Sequence, residues 1–140
     1  MKIDSALWRV RAIRGATTAS SNSIAAIEAA VTELMDAIET QNALVLEEVV
    51  SVTFSVTQDL DAIFPAAIAR QRPNWDCVAL LDVQQMHVES DLDYCIRCLI
   101  HFNTPNPQHP IHHVYLNGAK DLRPDWMPSR VTSTPAISSH

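Results

Sequence analysis

The chain has 140 residues, 47% of them hydrophobic, and a formal net charge of −6. That length fits one domain with a modest core, and the acidic balance provides no basic stripe to neutralise phosphates, which excludes nucleic acid as a general partner. With only two glycines the chain has no glycine-rich phosphate loop, which counts against P-loop and dinucleotide chemistry.

Leu7 to Ile13 alternates weakly and reads as a first strand carrying Arg9 and Arg11, with Arg14 at its end. Gly15-Ala16-Thr17-Thr18 then leads into a polar turn. A helix is predicted over Ser23 to Gln41, because Ile24, Ile27, Val31, Leu34 and Ile38 recur at spacings of three and four and form one apolar stripe. Asn22 or Ser23 supplies its N-cap. Val50 to Val56 alternates apolar residues with Ser51, Thr53 and Ser55, the pattern of a half-buried strand. Thr57 to Asp61 reads as a turn, and Pro65 suits the first position of a short helix over Pro65 to Gln71. Further strands are predicted at Cys77 to Val83, Tyr94 to Phe102 and His112 to Leu116, with a proline-rich loop from Thr104 to Pro110.

This order gives an α+β fold: one five-stranded mixed sheet packed on one long helix plus a short helix. Residues 1–126 form the single domain, and 127–140, rich in Ser, Thr and Pro, form a mobile C-terminal tail. One helix covers only part of such a sheet. Closure into a ring of identical chains protects the remaining face and edges, so a homo-oligomer is expected.

Arg97 stands inside Tyr94-Cys95-Ile96-Arg97-Cys98-Leu99-Ile100, a run that otherwise reads as a buried strand. A guanidinium keeps its charge, so it needs either a carboxylate in the fold or an anionic ligand. Lys2 and Lys120 are the only lysines, and arginine is the side chain suited to forked recognition of carboxylates. Arg14, Arg70, Arg97 and Arg123 lie at element ends or inside strands and together point to a site for a multiply anionic small molecule.

Other constellations carry less. Cys95 and Cys98 are three apart on a strand and so face opposite ways, which makes them small buried hydrophobes rather than a metal or redox pair. His109, His112 and His113 lack an accompanying cysteine or carboxylate motif and read as a polar loop and sheet edge; no metal and no cofactor is expected. Asp59-Leu60-Asp61 reads as a turn leading into the short helix, although two carboxylates could also hold a cation. No secretory signal accompanies the three cysteines, and no stretch approaches a membrane span, so a reducing, cytoplasmic setting is expected.

Four motifs occur in order: Arg14-Gly15-Ala16-Thr17-Thr18; Thr57-x-Asp59-Leu60-x-Ala62-x-Phe64-Pro65-Ala66-x-x-x-Arg70; Gln85-Met86-x-Val88 followed by Cys95-Ile96-Arg97; and His113-Val114-Tyr115-Leu116 followed by Leu122-Arg123-Pro124-Asp125. In this combination the chain resembles the monofunctional, barrel-type chorismate mutases from about Val10 to Asp125. The resemblance implies rearrangement of chorismate to prephenate, the committed step toward phenylalanine and tyrosine, by a homotrimer with a pseudo-α/β-barrel core and active sites at subunit interfaces. It implies Arg97 as the catalytic cation at the ether oxygen, Arg14 and Tyr115 at a substrate carboxylate, and Phe64, Ala66 and Arg70 as the part lent by the neighbouring subunit. Arg123 matches a position that helps close the site, and Leu81, Asp82, Val83, Gln84 and Gln85 match the wall facing the substrate ring.

That wall departs from the family pattern. Gln85 stands where a glutamate is usual, and Asp82 where a cysteine or small polar residue is common. Two readings of Asp82 stand: it shares the glutamate's task with Gln85, Gln85 accepting the substrate hydroxyl and Asp82 supplying charge near Arg97, or it merely pairs with a structural arginine. Two alternatives stand beside the chorismate mutase reading: a Rid-type imine deaminase on a similar fold, and a non-catalytic anion-binding or regulatory trimer.

Overall fold

A computed structural model describes residues 7–122. The first six residues, Arg123 and the segment 127–140 read as a tail lie outside the described residues. In chain order the elements are β1 (Arg9–Thr18), α1 (Ile24–Asn42), β2 (Val49–Val56), α2 (Pro65–Arg70), β3 (Ala79–Gln84), β4 (Cys95–Thr104) and β5 (Val114–Tyr115), with short 3-10 turns at Leu46–Glu48 and Asn117–Ala119. The strands form one mixed sheet in the order β3-β2-β4-β1-β5. β4 runs antiparallel to both β1 and β2, while β3 and β5 pair parallel at the two edges.

α1 forms where the periodicity places it. Ser23 is extended, and its Oγ accepts from the Ala26 amide at 3.1 Å, so serine rather than Asn22 caps the helix. Asn22 instead holds the 61–62 turn: its side-chain carbonyl accepts from the Asp61 and Ala62 amides at 3.0 and 3.1 Å. The stripe residues Ile27, Val31, Leu34, Met35 and Ile38 are buried against Ile13, Val52, Phe54, Ile96 and Ile100 of the sheet. At the C-terminus, Asn42 is buried and ties the helix to the 109–112 loop, donating to the Ile38 and His112 carbonyls (3.0 and 2.9 Å) and accepting from the His112 amide (2.8 Å).

The strand ends differ from the sequence expectation: β3 begins at Ala79, β4 runs on to Thr104 and β5 is only Val114–Tyr115, and the differences in β1 and β2 bear on packing. β1 does not stop at Ile13 but continues to Thr18, paired with β4 throughout. Gly15 is therefore a mid-strand residue, and its role is close approach: a Cβ there would stand 2.8 Å from Ile38 Cδ1 and 3.1 Å from Cys98 Sγ. In β2 the register shifts between Val49 and Ser51, so Val50 leaves the alternation and is exposed, a bulge at the strand's start.

The residue after α1, Ala43, sits in the left-handed region (φ 47°, ψ 50°) and is exposed. A Cβ is unfavourable there and glycine is the usual occupant. Ala43→Gly should stabilise the protein by about 0.5–1 kcal/mol, seen as a higher melting temperature; a lower one would contradict this account of the helix end.

Candidate active site

The register sorts the site residues between the two faces of the sheet. Directly paired residues share a face, and successive residues alternate. Cys98, Phe54 and Gly15 face α1, and Asp82, paired with Phe54, lies in the same row. One residue along, Arg97 pairs with Ala16 and Ser55; Ser55 pairs with Val83 and Ala16 with Tyr115. A transverse row Tyr115–Ala16–Arg97–Ser55–Val83 therefore runs across the face that α1 leaves uncovered. The adjacent row on that face is Arg14–Leu99–Thr53–Leu81. Leu81, Val83 and Leu99 are exposed there at 58%, 40% and 36%, an apolar surface around two arginines.

Arg97 lines a cavity of about 560 Å³ with Ser55, Gln85, Met86, Asp91 and Leu122. Its Nη2 donates to Asp91 Oδ1 at 3.1 Å, an ion pair in which both side chains are mostly buried. Gln85 Nε2 donates to the other carboxylate oxygen, Asp91 Oδ2, at 2.6 Å. Among the described residues, Arg97 Nε and Gln85 Oε1 are buried with no hydrogen-bond partner. Arg97 and Gln85, whose side chains line the cavity, thus each keep one buried polar atom without a partner, a donor on a cation and an acceptor.

The strand that aims Arg97 is fixed at its start. Thr57 Oγ1 accepts from the Cys95 amide at 2.9 Å, Thr57 N donates to the Cys95 carbonyl at 3.1 Å, and Asp59 Oδ2 accepts from the Tyr94 amide at 2.9 Å. The Thr57 hydroxyl in turn donates to Asp59 Oδ1. Asp59 is thereby occupied in holding backbone. The thiols of Cys95 and Cys98 are both buried, and burial pushes them up, Cys95 against the opposing pull of Arg97 and Cys98 to about 12. Both are neutral packing groups. The histidines have structural contacts: the His109 ring meets the Asn42 carbonyl at 2.9 Å and the edge of Phe102, and His113 Nδ1 accepts from the Arg14 amide at 3.0 Å.

The remaining site residues lie elsewhere in the chain. Phe64, at the N-cap of α2, is 69% exposed and lines a second cleft of about 520 Å³ with Pro65, Asp82, Val83 and Gln84. Ala66 is buried in the first turn of α2, and Arg70 is exposed in its last. Gln84 Nε2 donates to the Val56 carbonyl at 3.0 Å.

The expectation that Asp82 supplies charge beside Arg97 is corrected for the single chain: Asp82 is on the opposite sheet face. Its Oδ1 accepts from the Ala66 amide at 3.0 Å, and Arg70 acts on it electrostatically. The carboxylate beside Arg97 is Asp91, which sequence reasoning missed. Its signal was available: Arg97 required an acid, and the loop six residues upstream is acidic. That loop reads equally well as a solvated turn, and nothing local tells the two apart.

Comparisons with known proteins bear on the family and the fold. The sequence model of the family "Chorismate mutase type I" matches residues 10–126. The chain is 38% identical over 116 residues to chorismate mutase AroH of Bacillus subtilis (strain 168), covering 83% of this chain and 91% of that protein. It is 41% identical over 117 residues to chorismate mutase AroH of Thermus thermophilus, covering 83% and 95%. Among solved structures it is similar to a chorismate mutase from Clostridium thermocellum, with a TM-score of 0.74, 43% identity, and coverage of 79% of this chain and 97% of that one.

Burial raises the Asp82 carboxyl above its ordinary value of 3.8, outweighing the Ala66 hydrogen bond and Arg70. A carboxyl raised in the folded state favours folding when protonated and opposes it when ionised. Asp82→Asn keeps an oxygen for the Ala66 amide without the charge. It should therefore match or exceed the wild-type melting temperature at pH 7, with the difference narrowing as pH falls toward 3.8. A marked loss of stability at pH 7 would show that the ionised form is needed to hold α2.

Proposed function

The chain belongs to the chorismate mutase type I family and is an isomerase that converts chorismate to prephenate; from that premise we propose that Arg97 is its catalytic cation and that each complete site forms between subunits of a homotrimer. The reaction is an intramolecular [3,3] rearrangement in which an ether C–O bond breaks as a C–C bond forms, with no proton transfer. It needs no acid, base or nucleophile. A protein accelerates it by holding the dicarboxylate in its compact conformer and by placing positive charge where the ether oxygen becomes negative.

The observation that carries the role of Arg97 is a side chain that lines the cavity, anchored through Nη2 to Asp91 and keeping a buried Nε without a hydrogen-bond partner. The donor is held in place before substrate arrives, so little reorganisation opposes the transition state. Arg14 and Tyr115 share the uncovered face and suit a substrate carboxylate. Gln85 Oε1 suits a substrate hydroxyl. Arg123 keeps its place in the proposal as a closing residue from the resemblance alone.

Two observations support the trimer. The uncovered face carries exposed Leu81, Val83 and Leu99, which a ring of subunits would bury. The proposed substrate-binding residues also fall into two groups in one chain: Arg97, Arg14, Tyr115 and Gln85 with the open face, and Phe64, Ala66, Arg70 and Asp82 around α2. A site that needs both groups is completed by a neighbour's α2 and the adjoining Leu81–Gln84 edge. Free thiols at Cys77, Cys95 and Cys98 accord with a cytoplasmic enzyme, and among the described residues no helix is long and apolar enough to cross a membrane. Imine hydrolysis and non-catalytic anion binding are not favoured by the family to which the chain belongs.

Arg97→Ala should lower kcat by about 10²–10³ fold, the loss expected for one well-placed transition-state donor, followed as the disappearance of chorismate absorbance. Arg97→Lys should recover little, because the ammonium cannot hold Asp91 and present a second donor in one plane. Activity within tenfold of wild type in Arg97→Ala would remove Arg97 from the catalytic role.

Shared sites make a separate prediction. Arg97→Ala and Arg70→Ala chains, each of low activity alone, should regain activity when refolded together, because some mixed interfaces contain neither substitution. No regain, with mixed trimers demonstrated by mass, would contradict sites built from two chains.

A further inference from the structure

We propose that Asp91 is a positioning residue of this site: its carboxylate fixes the Arg97 guanidinium and, in the same contact, sets the Gln85 amide so that the carbonyl oxygen faces the substrate. The inference rests on the proposed site reading, in which Arg97 and Gln85 meet the substrate, and adds a residue that the sequence resemblance does not assign.

An ionised carboxylate only accepts hydrogen bonds, whereas a glutamine side chain has one donating and one accepting end. Asp91 Oδ2 meets Gln85 at 2.6 Å, so the end of Gln85 facing Asp91 is its NH2 group. The carbonyl Oε1 is left buried and unengaged among the described residues, in a residue that lines the Arg97 cavity. Without the carboxylate, nothing in this contact would choose between the two ends of the amide.

The carboxylate is itself held firmly. Oδ1 accepts from Arg97 Nη2 at 3.1 Å and from the Leu92 amide at 2.7 Å, and the Asp91 amide donates to the Val88 carbonyl at 3.0 Å, closing a turn. Ser90 within that turn has φ 71° and Tyr94 just before β4 has φ 52°, both in the left-handed region. Two non-glycine residues in that region are unfavourable locally and persist only where surrounding contacts determine the loop. Here the determining contacts converge on the carboxylate and on Asp59, which holds the Tyr94 amide at 2.9 Å.

The arrangement therefore supplies negative charge to the site from one hydrogen bond behind residue 85, with a neutral amide in front. This makes an exchange test possible. Asp91→Asn removes the charge and leaves two amides, at positions 85 and 91, that can bond in either orientation. Gln85→Glu in the wild-type background sets two carboxylates in contact. In the double variant, Gln85→Glu with Asp91→Asn, the amide introduced at position 91 can donate to the carboxylate introduced at position 85. One carboxylate again lies beside Arg97, with an accepting oxygen toward the cavity.

The experiment measures kcat and KM for chorismate in the four chains, with melting temperatures, and includes Arg97→Ala. Each single variant should lose at least tenfold in kcat/KM, carried mainly by kcat, and the double variant should return to within about threefold of wild type. That reversal of sign is not produced by a residue that merely stabilises the loop. Asp91→Asn within twofold of wild type overturns the proposal. So does a double variant no better than Asp91→Asn, including the case where the loss follows a fall in melting temperature. If Arg97→Ala stays active, the site reading has failed; if it is inactive while Asp91→Asn is unaffected, only the role of Asp91 has failed.

Discussion

With no side chain at Gly15, Ile38 and Leu34 of α1 settle directly onto the middle of β1 and against Cys98 of β4. This contact seats the one long helix on one face of the sheet. Buried Ile13, Val52, Phe54, Ile96 and Ile100 line up beneath it. By the alternation of the pleat, the intervening residues then face the other way: Arg14 and Ala16 beside Gly15, and Arg97 and Leu99 beside Cys98. A bulkier residue at position 15 would lift the helix and loosen the packing that holds these strands in register. The chemistry of the open face thus depends on what is absent from the covered one.

The open face solves a problem of charge placement. A strand holds a guanidinium more rigidly than a loop does, and a reaction without proton transfer asks for placement above all. An isolated cation there would carry a large desolvation cost. Asp91 offsets it, at 3.1 Å, by engaging one end of the planar fork, while the buried Nε keeps no hydrogen-bond partner. Lysine could not divide its contacts in this way, because its charge sits at a single atom. The ion pair therefore offsets the cost of the buried charge and holds one end of the guanidinium in place.

Local patterns carry much of the fold. The stripe from Ile27 to Ile38 and the serine before it define α1 without tertiary information, and Pro65 marks the start of α2. The errors arise where a residue's meaning is non-local. Gly15 resembles a strand terminator until a helix is known to lie against it, so β1 reads as ending five residues early. Val50 fits the alternation of β2 and is displaced only by the bulge against β4. Asp82 and Arg97 lie on strands separated by β2, and which face each shares is set by register, which neither segment encodes alone. The need of Arg97 for a carboxylate is legible in the sequence. Which acid meets it depends on how the 85–94 loop turns back over β4.

That loop joins the two halves of the molecule's logic. It leaves β3, whose edge carries Asp82 and Val83 toward the cleft with Phe64, and returns into β4, where Arg97 stands. Gln85 and Asp91 lie near its two ends and are bonded across it. A neighbour pressing on the β3 edge would be felt first by this loop, and the loop's contacts reach Arg97 through a single carboxylate. The β3 edge and the contacts of Arg97 are thus joined through one short segment of chain.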